Sequence, residues 1–371
     1  MKNIFLSLFL ILSLSGCKNK TTQPVDNQND FATHFAIKNF DNYKILQVTE
    51  AWNNGNDYKY ILAKNKKQIP DSLQKYTFIK IPVQRIVVTS TTHLPALELL
   101  NEADKLVGFP NTRYISSKTF INRLKSGKIQ EIGNGASLNT EKTLLLKPDV
   151  IVAFSSGKDQ KRYEFFEKHN IPVLFNADWM EKNPLGRSEW IKVFGVLFDK
   201  TKQAQKFYDE TKSNYLKIKG LIKQKTNKPL VFQGGIFGDK WFVPGGKSYA
   251  VQLIKDAGGE YLWNDNDSQG SIKLNFENVL IKLPKADIWL NPGSIISRNT
   301  LATAIPQIKD LKVYKNQKIY TYNLKKGSNG GITYFETSTI HPDWVLADLY
   351  HIFYPDKTPN YHFHYYSVLL D

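Results

Sequence analysis

Cysteine is nearly absent from this chain: its 371 residues contain one, Cys17. A lone thiol excludes an internal disulfide and a thiolate metal site. Long apolar runs are missing as well, and the apolar stretch at residues 4–14 is too short to span a bilayer. The signatures of nucleophilic and metal-dependent hydrolases are lacking: neither Gly-x-Ser-x-Gly nor His-Glu-x-x-His occurs. Gly245-Gly246-Lys247-Ser248 ends like a phosphate-binding loop, but Trp241 stands where the leading glycine is required. His362-Phe363-His364 lacks the further ligands of a metal site and reads as a surface tail. No cofactor and no catalytic residue is therefore expected.

What is abundant is positive charge. Fifty Lys and Arg against 34 Asp and Glu give a formal charge of +16. The lysines are spread along the chain, with no basic helix and no aromatic RNA-binding motif, so nucleic acid is not the expected partner. The balance suits a solvated surface that favours anionic small molecules or an anionic membrane.

The N-terminus reads as a secretory leader. Lys2 supplies its positive start, an apolar stretch follows, and Leu14-Ser15-Gly16-Cys17 matches the lipobox of bacterial lipoproteins. Cys17 is thus the expected lipidation site and first residue of the mature chain, with residues 1–16 removed. The expected location is the cell envelope, on a periplasm-facing lipoprotein held to the membrane through the Cys17 lipid only. Lys18 occupies the place where the inner-membrane retention signal has Asp, so either membrane is open. Residues 17–30 are polar and aperiodic and read as a flexible tether.

Residues 31–80 read as a small β extension. Strands are expected at 44–49 and 58–63 around the Asn53–Asp57 turn, with a third near 76–81. From there short apolar strands alternate with helices over 81–186, the pattern of a parallel sheet. Residues 187–226 contain no Pro and few Gly, and their apolar positions recur at steps of three, four and seven. The spacing predicts one long linking helix, about 54 Å if continuous. Residues 227–371 return to alternation and form a second lobe and tail.

One unit occurs twice. Leu138-Asn139-Thr140-Glu141 leads through an apolar stretch to Lys147-Pro148-Asp149 and a Val-Ile-Val strand. Leu274-Asn275-Phe276-Glu277 leads in the same way to Leu283-Pro284-Lys285-Ala286-Asp287 and Ile-Trp-Leu. Each reads as a short helix with a carboxylate in its first turn, where the helix dipole favours it, running into a buried strand. Two copies in different halves imply two lobes built alike; the functional reading is that each exposes one Glu to a common partner, the plainer one that an ordinary α/β unit recurs with a carboxylate at its helix start. The fold class is therefore α/β: two Rossmann-like lobes with mostly parallel sheets, joined by one long α-helix, plus the N-terminal β extension.

The ordered set Arg85-Ile86-Val87-Val88, Leu106-Val107-Gly108, the two Glu units, the Trp190-containing helix, Trp241-Phe242-Val243-Pro244-Gly245-Gly246, Asp256-Ala257-Gly258-Gly259 and His341-Pro342-Asp343 resembles a known family. It is similar to the substrate-binding lipoproteins of ABC importers for ferric siderophores, haem and cobalamin, over about residues 82–355. The resemblance implies a monomer that holds a small-molecule metal chelate or corrinoid between its lobes. Glu141 and Glu277 would dock against arginines of the ABC permease subunits. A ferric siderophore ranks first, cobalamin is the alternative, and a secreted lipoprotein enzyme on the same scaffold is a third reading.

Ligands of open α/β sheets bind beyond the carboxyl ends of the strands. That rule selects Thr92, His93, Arg113, Tyr114 and Asn134 in the first lobe, and Phe237, Trp241, Arg298, Tyr334 and Glu336 in the second. The aromatics could pack on a chelate, the arginines could bond an anionic complex, and His93 and Glu336 could bond the ligand. Each has a plainer alternative: Trp241 as core, His93 as a cap, Arg298 as a solvent-facing charge.

Overall fold

A computed structural model describes residues 25–27, 29–134, 137–223, 225–238, 240–355 and 361–371. Cys17 lies outside them. None of the helices among the described residues is long and apolar enough to cross a membrane.

The chain opens with a five-stranded sheet in sequential order: Val25–Asn27 (β1), Phe35–Asn39 (β2), Tyr43–Val48 (β3), Tyr58–Ala63 (β4) and Thr77–Lys80 (β5). All neighbours are antiparallel except β4 and β5. Side chains alternate between faces. Phe35, Ile37, Leu46, Tyr60 and Leu62 enter the core of the first lobe, while Ile61 and Ala63 form a small cluster on the other face. Two of these strands, β1 and β2, go beyond the sequence expectation, and β1 falls inside residues 17–30, where a flexible tether is expected. Its order comes from pairing with Ile37–Asn39, a tertiary partner that a polar tripeptide does not advertise.

The first lobe contains a parallel sheet of Ile86–Val88 (β6), Leu106–Phe109 (β7), Gln130–Glu131 (β8), Val150–Ala153 (β11) and Val173–Phe175 (β12), ordered β12-β11-β6-β7-β8. A two-residue ladder joins Gly133–Asn134 (β9) to Ser137–Leu138 (β10). Helices Leu94–Leu99 (α1), Lys118–Lys125 (α2), Thr140–Leu145 (α3) and Gln160–Lys168 (α4) intervene. β6, β11 and β12 are buried along their whole length, as parallel strands covered on both faces must be. The extension supplies part of that cover: the Phe175 N–H donates to the Tyr60 hydroxyl at 3.0 Å, and Trp52 meets the Phe175 ring edge-on.

The expected single helix over 187–226 is three: Pro184–Glu189 (α5), Ile191–Leu197 (α6) and Thr201–Ile222 (α7). α6 ends because Asp199 takes a left-handed conformation (φ 58°) and the Lys200 N–H returns to the Gly195 carbonyl at 2.7 Å, a C-terminal cap usually given to glycine. The chain then folds back, and Gly195 lies so close to Ala204 that a Cβ at 195 would sit 2.6 Å from the Ala204 Cβ. The apolar period runs through the break because α6 and the start of α7 bury their faces in the same core. α7 still joins the lobes over roughly 33 Å: Tyr208 belongs to the first core and Tyr215, two turns on, to the second.

The second lobe is built on Leu230–Gln233 (β13), Glu260–Tyr261 (β16), Ile288–Leu290 (β18), Ile319–Thr321 (β19) and Ser367–Val368 (β20), ordered β16-β13-β18-β19-β20 and parallel except for β20. A second, antiparallel sheet of Gly235–Phe237 (β14), Lys240–Pro244 (β15) and Ser271–Leu274 (β17) projects from it. Its helices are Tyr249–Asp256 (α8), Phe276–Lys282 (α9), Arg298–Ala304 (α10), Lys312–Lys315 (α11), Thr333–Thr337 (α12) and Pro342–Phe353 (α13).

The repeated unit feeds a central strand in each lobe, α3 into β11 and α9 into β18. Its Asp has a structural task. Asp149 accepts the N–H groups of Gln84 and Arg85, and Asp287 accepts that of Leu230. Each carboxylate thus ties the corner of its unit to the start of the neighbouring parallel strand.

Candidate functional site

The carboxyl ends of β6, β7, β11 and β12 face the second lobe, and the chain makes direct interlobe contacts there. Glu336 on α12 accepts the backbone N–H of Ser116 at 2.6 Å and of Ser117 at 3.0 Å. Gly331 lies against the Tyr114 carbonyl and Gly327 against Ser116, where a Cβ would come within 2.2 and 2.3 Å of a backbone oxygen. The loop from 326 to 336 therefore closes one side of the space between the lobes.

The remaining opening contains two adjoining cavities. One, of ≈ 720 Å³, lies at the carboxyl ends of β13 and β18, walled by Phe237 and Phe242 of the projecting sheet. The other, of ≈ 350 Å³, is lined by Trp179 and Met180 of the first lobe, Lys247 and Gln269 of the second, and Asn53 of the β extension. Arg187 and Tyr249 line both. A larger depression of ≈ 1020 Å³ is lined by residues 201–214 of α7 alone and lacks a second wall.

Arg187 is the central cation. Its guanidinium lies 4.0 Å from the centre of the Tyr249 ring and is oriented by bonds to the carbonyls of Glu181 (2.9 Å) and Trp179 (2.8 Å). Lys182 and Lys247 stand nearby on the smaller cavity. Among the described residues lining the two spaces, the one acidic side chain is Glu181. Its oxygens are occupied: they accept the N–H groups of Thr33 and His34, the Thr33 hydroxyl and the Trp190 indole. Three cations thus line the two spaces against one acid among the described residues, and the aromatic walls give flat apolar surface. Asp178, beside Trp179, is buried, and desolvation, opposed by the Arg187 charge, pushes its carboxyl up to about 6. No group of three or more His, Cys, Asp or Glu placed to hold a bare metal ion occurs among the described residues.

The residues expected from sequence separate into three sets. Phe237 lines the larger cavity and is 78% exposed. Tyr334 stacks face to face on Tyr322, which lines it (3.9 Å, 3°), and burial pushes the Tyr334 hydroxyl up to about 12. Thr92, Arg113 and Tyr114 lie at the interlobe face of the first lobe. Thr92 is bonded to Ser90, and Arg113 lies over the exposed Tyr114 ring and donates to its hydroxyl. Asn134 has its backbone in β9, and its side chain lies outside the described set.

Four expectations are corrected. Trp241 is wholly buried against Phe232, Phe276 and Trp289. β15 alternates, so Trp241 and Val243 point to the core and Phe242 takes the cavity face. His93 is buried beside Phe194, and desolvation holds its imidazole down at about 3, so it is a neutral core residue. Arg298 stacks on Tyr314, donates to its carbonyl and pairs with Asp371, away from both cavities. Glu336 has its carboxylate taken by the two serine amides. Conversely, the sequence pattern places Arg187 only at the first turn of the linking helix. Its place between the lobes depends on the preceding 178–183 turn, and no local pattern marks it.

Glu141 and Glu277 are exposed in the first turns of α3 and α9.

Residues 86–324 match the family described as Periplasmic binding protein. Among curated relatives, an uncharacterised lipoprotein of Methanocaldococcus jannaschii, MJ0878, is 24% identical over 95% of this chain and 92% of its own length. The high-affinity heme uptake system protein IsdE of Staphylococcus aureus is 29% identical over 74% of this chain and 88% of its own length. The crystal structure of S. aureus IsdE complexed with heme superposes with a TM-score of 0.52 at 25% identity, covering 72% of this chain and 98% of that one.

Proposed function

Since the chain belongs to the periplasmic binding protein family, we propose that it is the lipid-anchored receptor of an ABC importer and carries an anionic ferric chelate in the interlobe cleft. The observation that carries the ligand class is the cation group of Arg187, Lys182 and Lys247, of which Lys247 also lies 3.6 Å from the exposed Asp267, on a cleft whose one acid among the described lining residues already accepts several hydrogen bonds. Charge-assisted bonds from a preoriented guanidinium suit carboxylate, catecholate or hydroxamate oxygens. Trp179, Tyr249, Phe237 and Phe242 supply apolar faces for the rest of the complex. A ferric siderophore ranks first, because the Arg187, Lys182 and Lys247 cations suit the anionic oxygens of such a complex. Haem is the second reading, favoured by the likeness to a heme uptake protein, with its propionates on the same cations. Cobalamin would engage those cations only through its single phosphodiester. Delivery would use Glu141 and Glu277 as the permease contacts.

The test is a titration of intrinsic tryptophan fluorescence of the chain from residue 18, with ferric siderophores, haem and cobalamin in parallel. Trp179 lines the cleft and reports occupancy. Saturable micromolar or tighter quenching by a ferric siderophore supports the first reading, and by haem the second. Binding of cobalamin alone overturns the anionic-chelate reading, and silence from all three overturns the receptor reading for this ligand group.

A further inference from the structure

The two Glu helices share more than a carboxylate. From Asn139 to Leu146 and from Asn275 to Lys282, the eight positions follow one burial sequence in both lobes: exposed, half-buried, exposed, exposed, buried, half-buried, exposed, half-buried. The buried position holds Thr143 in one unit and Val279 in the other. The exposed position one turn after the Glu holds a large aliphatic side chain in each, Leu145 at 73% exposure and Ile281 at 72%. Among the large apolar residues described, only Phe237 on the ligand cavity is more exposed.

A single exposed Leu needs no explanation. Two at equivalent positions, each four residues from an exposed Glu and hence on the same helical face, do. Folding does not require them, since their side chains touch solvent and the corner of each unit is held by Asp149 and Asp287.

We propose that Leu145 and Ile281 are paired apolar anchors, each entering a recess beside the permease cation that meets Glu141 or Glu277. This rests on the docking reading above and adds its apolar half. The partner surface is then specified: two like sites, one per lobe, each offering a cation and, one helical turn away, an apolar dimple. Two similar permease subunits present such a pair. The carboxylates supply steering and orientation, and the two aliphatic groups supply contact that salt does not screen.

The test uses the full-length lipoprotein in its own cells. A photocrosslinking amino acid is placed at Lys142 or Asn278, exposed and equivalent in the two units, and partners are identified by mass spectrometry. Crosslinks to an ABC permease subunit are expected from both positions. Leu145→Ser and Ile281→Ser should each lower the yield about tenfold, with Leu145→Met and Ile281→Val near wild type and the chelate affinity unchanged. Should the Ser variants crosslink normally while Glu141→Ala and Glu277→Ala do not, the anchors are refuted and the carboxylate docking stands. Absence of any permease crosslink from the unsubstituted protein refutes both.

Discussion

Glu181 and Glu189 divide five consecutive backbone amides between them. Glu189 accepts the N–H groups of Asp30, Phe31 and Ala32, and Glu181 those of Thr33 and His34, all at 2.8–3.0 Å. Both carboxylates are buried, and Glu189 also pairs with Lys192 at 2.6 Å. The N-terminal segment is thereby held at α5, where the chain passes from one lobe toward the other, and Phe31 packs against both cores.

Removing either carboxylate should therefore be costly. Glu189→Ala leaves three amides and Lys192 without their partner, and a loss of about 3–5 kcal/mol is expected in urea unfolding at neutral pH. Glu210→Ala, on the solvent face of α7, should change stability by less than about 0.5 kcal/mol. Equal effects of the two variants would discard the amide clasp as a stabilising element.

The interlobe latch predicts a pH dependence. Burial raises the Glu336 carboxyl from 4.5 to about 7. Between those values the folded protein keeps a proton that the unfolded chain has released, so rising pH favours unfolding. The contribution is fullest below pH 4.5 and declines toward pH 7, by at most about 3 kcal/mol at roughly 1.4 kcal/mol per pKa unit. His93 acts oppositely. Its pKa is lowered to about 3, so its contribution is lost as pH falls below 6.5. The informative quantity is thus the difference between wild type and Glu336→Gln across pH 4.5–7. It should slope with pH, and a flat difference would mean that the carboxyl is not titrating in the latch.

The same latch is sterically exacting. A methyl group at residue 331 would lie 2.2 Å from the Tyr114 carbonyl oxygen. Gly331→Ala should therefore part the lobes at this edge and speed amide hydrogen exchange at Ser116 and Ser117. Exchange at wild-type rates would show that the contact is dispensable.

Ligand affinity should divide the arginines. Arg187→Met removes the central cation while keeping bulk against Tyr249, and should weaken binding of an anionic ferric chelate about 10- to 100-fold. Arg298→Met should leave affinity unchanged, because its partners are Tyr314 and Asp371. Equal losses in fluorescence titrations would displace Arg187 from the site.

Several features were legible because they are local or repeated. The Glu units announce themselves by recurrence, the buried parallel strands by short Val and Ile runs, and the lobes by alternation. The linking helix was legible as a helix but not in its length: periodicity reports which face is buried, and α6 and α7 bury theirs in one core across the Asp199 turn.

The site was less legible, for a physical reason. Sequence alone determined the class of fold, the two matched carboxylates and the positive balance of charge, since these follow from composition, period and repetition along the chain. Only the tertiary structure decided which side chains reach the cleft. Alternation along β15 puts Phe242 rather than Trp241 toward the cavity, and burial makes His93 a neutral core group. Glu336 is consumed by amides 220 and 219 residues away, and Arg187 becomes the central cation because the 178–183 turn aims it there. Each of these outcomes depends on contacts between segments distant in sequence, which no local pattern encodes.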